Sequence, residues 1–136
     1  KPYLTVYQIK ELLSKGFEVG AHSKIHPLFN KLTFEQTETE IIGSLNDISK
    51  KIGKQVNLFS YPFSKRALPK FEEKLLRKYP DKIKALLGIK NSLTNFNNPY
   101  KWERDYLEVP YDLALLKFCL IPIIRKYIFI PLNIKK

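Results

Sequence analysis

The chain has 136 residues, 44% of them apolar, and a formal charge of +11. That length allows one domain at most, and the apolar share excludes a disordered composition. A single cysteine, Cys119, excludes an internal disulfide and a cysteine-based metal cluster, and the lysines are scattered rather than gathered into an aromatic-interleaved stripe, which argues against a nucleic-acid partner.

Thr5 and Gln8 form a capping box ahead of an apolar helical stripe at Ile9, Leu12 and Leu13. Gly16 suits a left-handed helix end, and a short strand is predicted from Phe17 to Gly20. A bend then carries His22 and His26. Thr33 and Gln36 make a second capping box, opening a long helix with its stripe at Ile41, Ile42, Leu45, Ile48 and Ile52 and a stop at Gly53. A strand is predicted from Val56 to Tyr61, followed by Pro62-Phe63-Ser64. Pro69 suits the first turn of a third helix carrying Phe71, Leu75, Leu76 and Tyr79. Pro80-Asp81 breaks it, and Ile83 to Ile89 reads as a further strand. The asparagine-rich stretch Asn91 to Tyr100 reads as a loop, and Tyr106 to Val109 as a short strand ended by Pro110.

From Asp112 onward the chain is apolar, but Lys117, Arg125, Lys126, Pro122 and Pro131 interrupt it. A spanning helix needs about 20 apolar residues. The expectation is therefore a helix and tail over 113–136 packing on a domain over 1–112, with a membrane-surface segment as the alternative. Alternating helices and strands with short connections imply a parallel sheet. About four strands are few for a closed barrel. A chain that opens Lys-Pro and holds no methionine is expected to be a processed or internal piece of a longer protein, and no secretory signal is visible in it.

His22 and His26 are the only histidines. Neutral imidazoles are common ligands for zinc and related metals. Four residues apart on one side of a helical turn, they could reach one ion. Pro27 disfavours helix at His26, so the turn should be short and lie at a strand's C-terminal end, where α/β sheets and barrels keep their sites. The competing reading is a pair of surface histidines at a turn.

The stretch GFEVGAHSKIHPLFNKLT, followed after one helix by NLFSYPFS, resembles the NodB-homology polysaccharide deacetylases, the fourth carbohydrate esterase family. His22, Ser23 and His26 match the motif His-(Ser/Thr)-x-x-His. Residues Phe59 to Ser64 match aromatic-Ala-Tyr-Pro-(Phe/Tyr)-Gly, and Arg104 matches a late arginine-then-strand segment. The resemblance covers roughly 3–112. It implies an α/β fold, a partial (β/α) barrel missing its N-terminal strands, and metal-assisted removal of acetyl groups from an N-acetylated polysaccharide. It also implies a cell-envelope or extracellular location. The implied roles are His22 and His26 on a divalent metal, zinc with cobalt or nickel as alternatives, and the Tyr61 backbone N–H as oxyanion donor. Pro62 and Phe63 would meet substrate, with Ser23 and Arg104 in support. Ser23 reads equally as a solvated turn residue; an aromatic at a strand end such as Tyr61 is usually core, but Pro62 and Phe63 beside it favour the functional reading. The family's Thr-Phe-Asp-Asp motif is absent, Ser60 replaces an arginine, Ser64 replaces a glycine, and no histidine follows His26. A non-catalytic carbohydrate-binding or scaffold module of the same fold is the alternative.

Overall fold

The computed structural model describes residues 4–89 and 100–104. Helix α1 spans Val6–Ser14. Its capping box is formed: Thr5 Oγ accepts from the Gln8 N–H, and the Gln8 side chain accepts from the Thr5 N–H. The helix ends through paired bonds, Phe17 N–H to Leu12 O and Gly16 N–H to Leu13 O. These place Gly16 at φ +89°, where a residue without Cβ is unstrained.

Helix α2 spans Phe34–Ile52 and opens with the second capping box, Thr33 with Gln36. Gly53, at φ +72°, closes it. Its apolar stripe enters the core: Ile41, Leu45 and Ile52 are buried, and Ile48 packs against the cluster. Strand β1 is Leu58–Ser60, helix α3 is Pro69–Lys78, β2 is Ala85–Ile89 and β3 is Lys101–Arg104.

The three strands form a parallel sheet in the order β1-β2-β3. Ala21 adds a parallel bridge to Phe59 on the free side of β1. Spatial order thus follows chain order, as in a singly wound (β/α) arrangement; a doubly wound sheet reverses its order at a switch point. Neighbours in register share a face. Phe59 and Leu86 lie on one face and are wholly buried with α2 and α3. Lys101, in register with Leu86, reaches Glu72 of α3 on that same side. Ser60 and Leu87 lie on the opposite face and are half-buried.

The strand expected at Phe17 to Gly20 does not form. Only Ala21 enters the ladder, donating to Leu58 O and accepting from Ser60 N–H. Phe17 is left exposed, and the backbone passes so close that a Cβ on Gly20 would lie 3.0 Å from Leu58 O. Strand β3 was not expected at Lys-Trp-Glu-Arg, where alternation is too short to read. The stretch 91–99, the strand at Tyr106 to Val109 and the tail over 113–136 lie outside the described residues. Among the described residues no helix is long and apolar enough to cross a membrane.

Candidate metal centre

His22 follows the Ala21 bridge, and its ring meets the end of β1. Its Nδ1 lies 2.7 Å from Ser60 O. A carbonyl oxygen only accepts, so Nδ1 carries the proton, and Nε2 of the neutral ring presents a lone pair. His26 Nε2 lies 3.1 Å from His22 Nε2. Without a cation, the His26 Nε2–H donates across that gap; a cation would replace this proton. Two zinc–nitrogen bonds of about 2.05 Å to nitrogens this far apart subtend about 100°, near the tetrahedral angle. The donors and spacing fit zinc, but they are half a set. Among the described residues no group of three or more His, Cys, Asp or Glu converges.

The pair is not carried on a helical turn. Ser23 has φ +70° and His26 has φ +58°, both left-handed. Pro27 keeps His26 out of the right-handed helical region, and the left-handed residue swings its imidazole back toward His22. A loop so shaped cannot satisfy its own N–H groups through helical bonds. Ser23 Oγ accepts from His26 N–H at 3.0 Å. Glu40 Oε2, on α2, accepts from Lys24 N–H at 2.8 Å and Ile25 N–H at 3.2 Å. Glu40 carried no motif signal; only its placement on the buried stripe of α2, three residues after Thr37, could have marked it.

The far end of the loop is pinned by Phe29, wholly buried, in a 3-10 turn spanning Phe29–Lys31. Its ring packs edge-on against Phe59 and Tyr61, with centroids 5.5 and 5.0 Å apart. Tyr61 is therefore a core aromatic. Burial, then the neighbouring Glu72 charge, pushes its hydroxyl well above the usual tyrosine range. Its backbone N–H donates to Leu87 O at 3.0 Å. The resemblance cast that N–H as an oxyanion donor; here the sheet consumes it.

Pro62 opens a 3-10 turn, Pro62–Ser64, and is wholly buried, which removes it from any substrate surface. Phe63 is 58% exposed, holds a left-handed φ of +51°, and sets its ring edge-on to His26 at 4.4 Å. Arg104 ends β3 in register with Ile89. Ser23, His26 and Phe63 are the non-glycine residues at positive φ among those described. His26 carries one ring of the imidazole pair, Ser23 lies in the loop between the two histidines, and Phe63 sets its ring against His26. Such backbone strain gathers at functional sites.

A singly wound parallel sheet, with paired imidazoles and strained loops at its carboxyl ends, matches part of a (β/α)-barrel-type scaffold, with the candidate site at the edge where such scaffolds keep theirs. The sequence profile of the polysaccharide deacetylase family matches residues 5–80, more than half of the chain, and the chain belongs to that family of enzymes. Among solved structures it is similar to the deacetylase PplD of Streptococcus pyogenes, in complex with acetate. The TM-score is 0.69 at 21% identity, over 84% of this chain and 50% of that one. It is also similar to a polysaccharide deacetylase from Bacillus cereus, with a TM-score of 0.55 at 23% identity over 75% of this chain and 32% of that one. These likenesses carry the fold, and the chain spans half or less of either protein's length. No curated protein matches it.

Proposed function

We propose that this chain is the carboxyl-terminal portion of a metal-dependent deacetylase that removes acetyl groups from an N-acetylated polysaccharide at the cell envelope or outside the cell. Residues 1–112 would belong to the deacetylase domain, and 113–136 would form an appended apolar helix and tail. The observation that carries the proposal is the 3.1 Å convergence of His22 Nε2 and His26 Nε2, with the His22 tautomer fixed by Ser60 O.

His22 and His26 would hold the ion, zinc by donor type with cobalt or nickel as substitutes. Bound there, such an ion supplies Lewis acidity to a water and to the acetyl carbonyl. The chain's own residues do the rest of what it can contribute. Ser60 O orients the first imidazole, Ser23 orients the second, and the Phe63 ring offers an exposed apolar surface for a sugar beside them. Because Tyr61 N–H is engaged and Pro62 has none, the next amide along the chain, that of Phe63, is the better candidate for stabilising an oxyanion. A donor of that kind is typically worth about 10²–10³ in rate. The third ligand and the base would be carboxylates supplied from outside the described residues.

The test is acetate release from N-acetylglucosamine oligomers by the complete protein, alongside metal content. Zinc-dependent turnover is expected, reduced to background in His22→Ala and by chelation. This chain alone should show little or none. If the complete protein binds no metal at stoichiometric level and releases no acetate, the non-catalytic carbohydrate-binding reading replaces this one.

A further inference from the structure

Between the two histidines, the N–H groups of Lys24, Ile25 and His26 are taken by side-chain oxygens. His26 uses Ser23, a local contact. Lys24 and Ile25 share a single oxygen, Glu40 Oε2, from a helix well over ten residues away. Glu40 is 7% exposed. The loop also leans on α2 through Lys24 itself. A Cβ on Gly43 would lie 3.2 Å from Lys24 Cδ, so the lysine stem crosses the helix at that glycine. Its ammonium then pairs with Asp47 at 3.0 Å. Glu40, Gly43 and Asp47 thus form one stripe under one loop residue, its buried end an acceptor for backbone and its exposed end a surface ion pair.

We infer that Glu40 is a positioning residue for the histidine pair: its carboxylate fixes the 24–25 backbone and thereby the separation of the two Nε2 atoms. This rests on the metal-site reading above. Hydrogen bonds from backbone N–H to a carboxylate are about twice as strong as neutral ones. A loop held in left-handed conformations at both Ser23 and His26 needs such an anchor to stay put. Without it, the two N–H groups would turn toward water and His26 would leave the register that brings it to His22. Groups that orient metal ligands typically govern affinity by about 10–100-fold.

The experiment measures zinc affinity of the complete protein by competition with a chromophoric chelator, together with amide hydrogen exchange at Lys24 and Ile25. Glu40→Ala is expected to weaken zinc 10–100-fold and to speed exchange at both amides. Glu40→Gln keeps one acceptor oxygen, and its amide nitrogen can reach the cleft that Glu40 lines with Ile25, Pro27 and Gln36. It should recover most of the affinity, and it keeps the test open if the alanine variant fails to fold. Asp47→Asn removes only the exposed pair and should bind zinc like the wild type. Wild-type affinity in Glu40→Ala with fast-exchanging amides would overturn the inference while leaving the metal reading intact. So would Asp47→Asn weakening zinc as much as Glu40→Ala, or Glu40→Gln failing to recover affinity. Absence of zinc binding by the wild-type protein would overturn the metal reading itself, and this inference with it.

Discussion

Phe63 joins backbone strain to the site. A bulky side chain at φ +51° costs roughly 1–2 kcal/mol, and the ring recovers little of that by burial, being 58% exposed. What it does touch is His26, edge-on at 4.4 Å. Phe63→Gly should therefore leave the urea midpoint unchanged or slightly raised, because relief of the left-handed backbone offsets the lost contact. Under the function proposed above, the same variant in the complete protein keeps the backbone N–H but loses the apolar surface offered to a sugar, so KM for N-acetylated oligomers should rise several-fold with a smaller change in kcat. A large loss of stability would mean that the ring is structural. The opposite backbone case is Gly20, where a Cβ would press on Leu58 O at 3.0 Å. Backbone cannot give way as a side chain can, so Gly20→Ala should destabilise by about 1–3 kcal/mol in urea titration.

Among the elements, α3 is fastened to the sheet by charge. Glu72 is 2% exposed, and its two oxygens meet Arg66 Nε at 3.0 Å and Lys101 Nζ at 3.1 Å. Arg66 Nη2 also donates to Leu86 O of β2. Breaking a buried pair typically costs about 3–5 kcal/mol. Here Arg66 keeps Leu86 O and both cations reach solvent in part, so the loss should fall at or below the lower end of that range. Glu72→Ala should lower the urea midpoint accordingly. Helices α2 and α3 meet through a more exposed pair, Glu38 with Lys78 at 2.7 Å. The hydrogen bond from Lys78 holds the Glu38 carboxyl below its ordinary 4.5. The folded state therefore releases this proton more readily, and the contact's contribution is whole above pH 4.5 and fades as pH falls through the lower folded value. Lys78 is raised above 10.5 by the same bond, so its contribution is whole below 10.5 and fades as pH rises through the raised value. Glu38→Gln should flatten the acid limb of the melting profile with little effect at neutral pH, since exposed pairs count for little. The helices were legible because their signals are local: Thr5 with Gln8, Thr33 with Gln36, Gly53, Pro69. The strands were less so. Phe17 and Val19 alternate like a strand, but whether they pair depends on where β1 begins, at Leu58. The histidines could be named from sequence, yet the left-handed loop joining them could not. Its anchor, Glu40, is an ordinary glutamate until α2 turns it inward.

At the scale of the molecule, the histidine pair exists only when three separate placements coincide. Ala21 must bridge Phe59, Ser60 must offer its carbonyl to His22, and α2 must bring Glu40 under the loop. None of these survives unfolding, so an ion that needs both imidazoles binds the folded state far better than the unfolded one. Linkage then converts affinity into stability. At a free zinc concentration about 100 times Kd the folded state gains about 2.7 kcal/mol, which in a domain of this size raises Tm by several degrees. The expected result is a zinc-dependent rise in Tm for the complete protein, reversed by EDTA and absent in His22→Ala. A calcium or magnesium control should do nothing, because those cations prefer oxygen ligands. Equal shifts in wild type and His22→Ala would locate the bound ion elsewhere, for instance on scattered carboxylates. The pair at 3.1 Å would then be an ordinary imidazole hydrogen bond.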